Sequence, residues 1–251
     1  METIESIQNT KIKAWKKLHT KKERDQSGLF FIEGMHLIEE ALKSSIIIKH
    51  LVIVEGKEIP KEWDVKELSS VYVTERVMKE LSETEAPQGI AAICEKPLNV
   101  NLPLENGRYL FIDGVQDPGN LGAMIRTADA AGMSGVVLSD LTADPYNGKV
   151  IRSTQGSLFH LPIQKMDLEE AVELCKESNV PVFGSSLQGS TFTAIEPQKN
   201  FALIVGNEGN GVKERLLKMS DQNLYIPIFG EAESLNVAIA TGILLYHLRG
   251  A

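Results

Sequence analysis

An α/β protein in two parts, the second built around a mostly parallel sheet, is the fold class the sequence predicts. Three observations carry it. From residue 109 onward short apolar runs alternate with helical stretches, the pattern of strands joined by helical crossovers. Residues 96–107 contain two prolines, three asparagines and a glycine and show neither helical nor strand periodicity, which marks a linker. The front of the chain mixes a strongly basic helix with short β-rich runs and reads as a small module of its own.

In chain order, the front module covers residues 1–96. It opens with a basic helix, continues with a helix near residues 34–44, and adds β-rich runs at 46–54, 71–73 and 89–94. The linker is placed at 97–107, and the second domain spans 108–251. Its expected strands are 109–112, 135–139, 159–163, 180–183, 201–205 and 224–228. Open parallel sheets bind their ligands in the loops beyond the carboxyl ends of the strands, so those loops hold the candidate chemistry.

Composition narrows the class. At 251 residues, with 43% hydrophobic and 24% charged side chains, the chain has material for one or two packed cores and is not a disordered segment. No run approaches the roughly 18 apolar residues that span a bilayer, and the start, Met1 to Ser6, lacks an export signal. A cytoplasmic protein without a membrane partner is therefore expected. Cys94 and Cys175 stand far apart without metal-ligand spacing, so neither a metal site nor a disulfide framework is expected. The net charge of −8 argues at first sight against nucleic acid. Its distribution matters more: Lys11, Lys13, Lys16, Lys17, Lys21, Lys22 and Arg24 fall in one short stretch with Glu23 as the sole acid among them. Such a patch can bind phosphate on an acidic protein, although the spacing is equally that of a solvated helix face.

Three loops stand out. The first follows the strand at 109–112: Asp117-Pro-Gly makes a turn, Asn120 fits a helix cap, and Leu121, Met124, Ile125 and Ala128 form a buried stripe. Arg126 lies off that stripe within reach of the loop; alone it reads more often as a solvated helix residue. The second, 205–212, has three glycines in six residues between a strand and a helix expected at 212–219. Glycines let a ligand approach backbone closely, but the run matches neither the dinucleotide nor the P-loop signature. Glu208 would repel a phosphate, so a cationic or hydrogen-bond-donating ligand fits better. The third runs from Ile226-Pro-Ile to Ser234-Leu-Asn-Val and leads into a last helix ending near Arg249. By themselves Ser234 reads as an N-cap and Asn236 as a polar residue of the first turn. That helix is apolar over a broad arc, as for burial within the domain or against another subunit.

Together, Asn120 with Arg126, Gly206 with Glu208, and the run from Ile226 to Asn236 resemble, in order and spacing, the three motifs of the SpoU/TrmH family, RNA ribose 2′-O-methyltransferases of the SPOUT superfamily. The front module, through residues 9–22, 31–42 and 87–92, resembles the family's ribosomal-protein-like RNA-binding domain. The resemblance implies a SPOUT-type sheet with a C-terminal trefoil knot, a homodimer, and S-adenosylmethionine as cofactor. It implies that Gly206, Ile226 and Leu235 hold the cofactor mainly through backbone groups. Asn120, Arg126, Glu208, Ser234 and Asn236 would line the reaction centre, and the basic stretch would contact RNA, rRNA rather than tRNA. Glu208 would orient Arg126 or a substrate donor. The rival readings are a non-catalytic RNA-binding protein that keeps the fold, a knotted methyltransferase acting on a base nitrogen, and a small-molecule enzyme, which would leave the lysine-rich front unexplained.

Overall fold

The computed structural model describes residues 3–98 and 100–250 and forms two compact units. One is built from residues up to 98 with Tyr146–Phe159, the other from the remaining described residues. The first unit contains β1 (Thr3–Ile4), α1 (Thr10–Lys17), α2 (Lys21–Ser27), β2 (Leu29–Glu33), α3 (Met35–Lys43), β3 (Ile48–Val54), β4 (Ser70–Val73), α4 (Glu75–Leu81) and β5 (Ile90–Glu95). Its sheet runs β1-β4-β3-β5-β2, with β2 and β3 antiparallel to β5 and the other pairs parallel. β5, flanked by β3 and β2, is almost wholly buried, as a continuous apolar strand between two neighbours should be. Its Cys94 thiol is pushed far above the ordinary thiol range by that burial, so it is an inert core residue.

The basic helix of the sequence is two helices. Asn9 caps α1 by accepting from the Lys11 N–H, and Thr20 caps α2 by accepting from Glu23. The i, i+3 set Ile12, Trp15 and Leu18 is buried, which turns Lys11, Lys13, Lys16 and Lys17 outward. Lys21 and Lys22 are also exposed. Arg24 corrects the expectation: it is 2% exposed, and its guanidinium donates to the carbonyl of Leu18 at 2.7 Å. It serves an orphan carbonyl at the end of α1 and is not part of the basic surface.

The second unit comprises β6 (Arg108–Asp113), α5 (Pro118–Ala130), β7 (Gly135–Leu138), β8 (Ile163–Lys165), α7 (Leu168–Glu177), β9 (Val182–Thr191), β10 (Phe201–Gly206), α8 (Glu214–Met219), β11 (Gln222–Tyr225) and α9 (Val237–Arg249). The helix between them in sequence, α6 (Gly148–Thr154), falls in the first unit. There Tyr146 and Phe159 bring their rings to 4.9 and 6.4 Å from that of Phe30. The six strands are all parallel, in the order β11-β9-β10-β6-β7-β8. On one face α7 and α8 cover Tyr109, Phe111, Ala202 and Ile204; on the other α5 packs with α9. Cys175 lies in the α7 layer, where burial pushes its thiol up to about 12.

Two expected strands shift because of proline. Pro162 has no N–H to give the ladder, so the expected strand at 159–163 begins only at Ile163, after a 3-10 turn at Ser157–Phe159. Pro227 likewise ends β11 at Tyr225, short of the expected residue 228. The helix expected at 212–219 starts at Glu214.

Candidate active site

The order of the strands defines a switch point. From β6 the chain moves outward through β7 to β8, whereas β10 pairs with the other side of β6. The helices that follow β6 and β10 leave for opposite faces, and a crevice forms between the carboxyl ends of these two strands. Asp113 and Gly206, which pair in register, are the last residues of the two strands. The first and second loops of the sequence therefore begin side by side.

The first loop ends at α5, and here the cap differs from expectation. Asp117, not Asn120, is the N-cap; its carboxylate accepts from the Asn120 N–H at 2.8 Å. Pro118 takes the first helical position, where its fixed φ suits the helix and its missing N–H costs nothing. Asn120 thus sits in the first turn with its side-chain amide available.

The second loop folds back on its own strand. A side chain at Gly206 would place its Cβ 2.0 Å from the Gly211 carbonyl carbon, so only glycine permits this approach. Asn207 and Gly211 exchange backbone hydrogen bonds of 3.0 and 2.9 Å that close the turn. Asn207 donates to the Gly114 carbonyl at 2.8 Å and accepts from the N–H groups of Gly209 and Asn210. Glu208 reaches across to the first loop. Its carboxylate accepts from the backbone N–H groups of Gln116 (3.4 Å) and Asp117 (3.3 Å) and from the Asn120 amide (3.1 Å). Partial burial pushes the Glu208 carboxyl up, but the Asn120 amide and the N–H groups of Glu208, Asp117 and Gln116 outweigh it and hold the group below its ordinary value.

The third loop arrives from the sheet edge and brings Asn236 to Asn120. Asn236 is the N-cap of α9, accepting from the N–H groups of Ala238 and Ile239, and its Nδ2 donates to Asn120 Oδ1 at 3.0 Å. Ser234, which by itself reads as a cap, is exposed and outside the helix. The polarity of the chain is fixed from both ends: the capping oxygen of Asn236 turns its amide nitrogen to Asn120, whose own nitrogen then faces the acceptor-only carboxylate of Glu208.

The structure thus brings together Asn120, Glu208 and Asn236, one from each loop. It leaves Arg126 apart from them. Arg126 is exposed on α5 and makes no hydrogen bond or ion pair among the described residues, so the expected orientation of Arg126 by Glu208 is not formed. Ser234 is equally without a hydrogen-bond partner among the described residues. Gly206 is buried, Ile226 half-buried, and Leu235 exposed at the start of the last turn before α9. Sequence reasoning missed Asp117 and Asn207, which shape the two loops. The Asp-Pro pair was a readable helix start; Asn207 carried no comparable signal. Among the described residues no cluster of metal-binding side chains occurs, and no helix is long and apolar enough to cross a membrane. The first unit also contains a cavity of about 500 Å³ whose rim carries Lys57 and Lys79 against Glu55 and Glu75; its balanced charge gives it no preference for phosphate.

A parallel α/β domain with three ligand loops gathered at the carboxyl end of its sheet, carried with a small domain that presents a lysine face, defines the class. Residues 107–246 match the SpoU rRNA Methylase family and residues 9–92 the MRM3-like substrate binding domain; the chain belongs to the SpoU rRNA Methylase family. It is 51% identical, over the whole length of both chains, to the 23S rRNA (guanosine(2553)-2′-O)-methyltransferase RlmP of Bacillus subtilis. Among solved structures it is similar to the AdoMet-bound rRNA methyltransferase of Sinorhizobium meliloti, with a TM-score of 0.88, 35% identity, and coverage of 99% of this chain and 97% of that one. It is similar also to the SpoU methyltransferase AviRb of Streptomyces viridochromogenes in complex with AdoMet, with a TM-score of 0.84, 26% identity, and coverage of 96% and 97%.

Proposed function

We propose that this protein transfers a methyl group from S-adenosylmethionine to a ribose 2′-hydroxyl of 23S rRNA, at the guanosine corresponding to that of its Bacillus subtilis relative. The observation that carries the reading is the Asn236–Asn120–Glu208 chain, which unites the three loops in a protein 51% identical throughout to a ribose methyltransferase. The loops suit this cofactor by charge. Glu208 stays a carboxylate beside the crevice, which favours a cationic sulfonium over a phosphate. The side chains of Asn207 and Glu208 are spent on the first loop, which leaves backbone groups, with those of Gly206, Ile226 and Leu235, to hold the ligand.

When bound, S-adenosylmethionine supplies a methyl group already activated by its sulfonium. The chain must align the ribose hydroxyl with it and ease the loss of the proton. Asn120, Glu208 and Asn236 are tied to one another and act by fixing the geometry of the centre. Among the five residues assigned to it, Arg126 and Ser234 are the two whose side chains have no hydrogen-bond partner among the described residues. Arg126 clamps the RNA and stabilises the developing negative charge. A guanidinium keeps its charge in proteins, which suits a clamp better than a base. Ser234 supplies a neutral hydrogen bond.

The remaining assignments rest on placement. β11 lies at the sheet edge beyond β9, yet residues 226–236 return to set Asn236 at the start of α5, which supports a C-terminal trefoil knot. Phe229, Leu235, Ile239 and Tyr246 expose apolar surface on and before α9, which supports a homodimer. A protein acting on rRNA, with no membrane-crossing helix among the described residues, belongs in the cytoplasm. The lysine face of α1 and α2 contacts RNA. Replacing Lys13 and Lys17, both exposed, with alanine should reduce the slope of log affinity against log salt by about 1–2. Arg24→Ala should instead lower thermal stability and leave that slope unchanged; titrations of both variants at several salt concentrations check the division.

The reading is tested by incubating the purified protein with radiolabelled S-adenosylmethionine and with rRNA or ribosomal subunits from a strain lacking it, followed by nucleoside analysis and mapping. Label in 2′-O-methylguanosine at the one position is expected. Label on a base nitrogen, or none on any of these substrates, would overturn it.

A further inference from the structure

The second loop is tethered to the first at a third place, deeper than Asn207 and Glu208. Asp113, the last residue of β6, is 2% exposed, and its Oδ2 accepts the backbone N–H of Lys213 at 3.0 Å. Its Oδ1 lies 3.1 Å from Lys213 Nζ, an ion pair whose angle falls short of a hydrogen bond, and that buried oxygen accepts none among the described residues. Lys213 is the residue at which the glycine-rich loop ends and α8 begins. Asp113 therefore holds the far end of the loop, Asn207 its near end through the Gly114 carbonyl, and Glu208 its tip. The Gly114 N–H is in turn fixed by the buried hydroxyls of Ser139 and Thr142, at 3.0 and 3.1 Å. Of the three tethers, that of Asp113 is the one whose carboxylate is out of solvent, while the Lys213 ammonium stays exposed, so it is a change at the buried partner that is most disruptive.

We infer that Asp113, paired with Lys213, is a positioning residue for the cofactor: it sets the glycine-rich loop in its ligand-binding shape before S-adenosylmethionine arrives, so that binding costs less ordering. The inference rests on the cofactor reading above. Asp113 acts through the loop, and its loss should register in cofactor affinity and not in the transfer step.

Asp113→Asn keeps an acceptor for the Lys213 N–H but turns its amide nitrogen toward Lys213 Nζ, donor against donor. By calorimetry the Kd for S-adenosylmethionine should rise at least about tenfold, with KM following it and kcat within about threefold of wild type. Lys213→Met in that background removes the conflict and should bring KM back to within about threefold. Should Asp113→Asn not fold, Lys213→Met alone changes an exposed side chain and should raise KM about threefold or more. An unchanged KM in the single variants, a fall in kcat at constant KM, or a double variant no better than Asp113→Asn would overturn the inference while wild-type binding leaves the cofactor reading standing. Wild-type protein that binds no S-adenosylmethionine by calorimetry would overturn both.

Discussion

Arg126→Ala should reduce methyl transfer by roughly 10²–10³-fold or more, the loss seen when a preorganised charge stabiliser is removed, while changing the Kd for S-adenosylmethionine by less than about threefold. The guanidinium makes no hydrogen bond or ion pair among the described residues, so neither the loops nor α5 depend on one, and the melting temperature should stay at the wild-type value. The proposed cofactor contacts come from the other two loops, which separates binding from transfer. Arg126→Lys should rescue little, because a point charge on a flexible stem does not reproduce the planar fork that grips phosphate or hydroxyl oxygens. Single-turnover transfer and calorimetry on the same preparations check the claim. A variant that loses cofactor affinity in step with its rate would contradict the division of labour.

Glu208→Ala should be the second severe change, and for a different reason. It strips an acceptor from two backbone N–H groups and the Asn120 amide at once, so the first and second loops lose their link at the tip. A fall of about 10²-fold in kcat/KM, with cofactor affinity and rate both affected, is expected from the loss of hydrogen bonds to a charged group. The pH dependence follows from the lowered carboxyl. A carboxylate held below its unfolded value lends its full stabilisation above that value and loses it as pH falls through the folded one. Wild type should therefore keep cofactor binding into mildly acidic solution and lose it only below the ordinary carboxyl range. Glu208→Gln should lack this acid limb, and thermal melts of the two proteins should converge at low pH. A constant difference down to the lowest pH would exclude Glu208 as the titrating link.

Much of this was legible in the amino-acid sequence, and the failures have identifiable causes. The six parallel strands were visible because strands buried on both faces are continuous apolar runs, as in β10, whose six residues are all buried. Their ends were misplaced where proline removes a ladder donor, at Pro162 and Pro227. The three loops were found, since glycines and polar residues after an apolar run mark a strand's carboxyl end. Their internal wiring was not. Asn120 and Asn236 are both plausible caps by residue type; only the chain path decides that Asp117 and Asn236 cap while Asn120 is left for the junction. Arg24 belonged to the basic cluster by spacing, and nothing in its type announces a buried guanidinium closing a helix end. Glu208 stood out by its place in the glycine-rich loop, but its partner lies at Asn120, a contact set by the sheet order and invisible to local pattern.

The excursion of Tyr146–Phe159 into the first unit bears on how such a protein could be reshuffled. A front module that ended at the linker could be lifted out, swapped or duplicated by a single join in the gene. Here the front module's core is completed by a segment encoded fifty residues further on, with Tyr146 and Phe159 set against Phe30. A fragment cut at the linker would carry Phe30 without these rings, and the catalytic part would retain an unmatched insertion. The two modules are tied by the order of the chain into a single heritable piece, so substrate choice and chemistry are expected to change together in descendants of this protein.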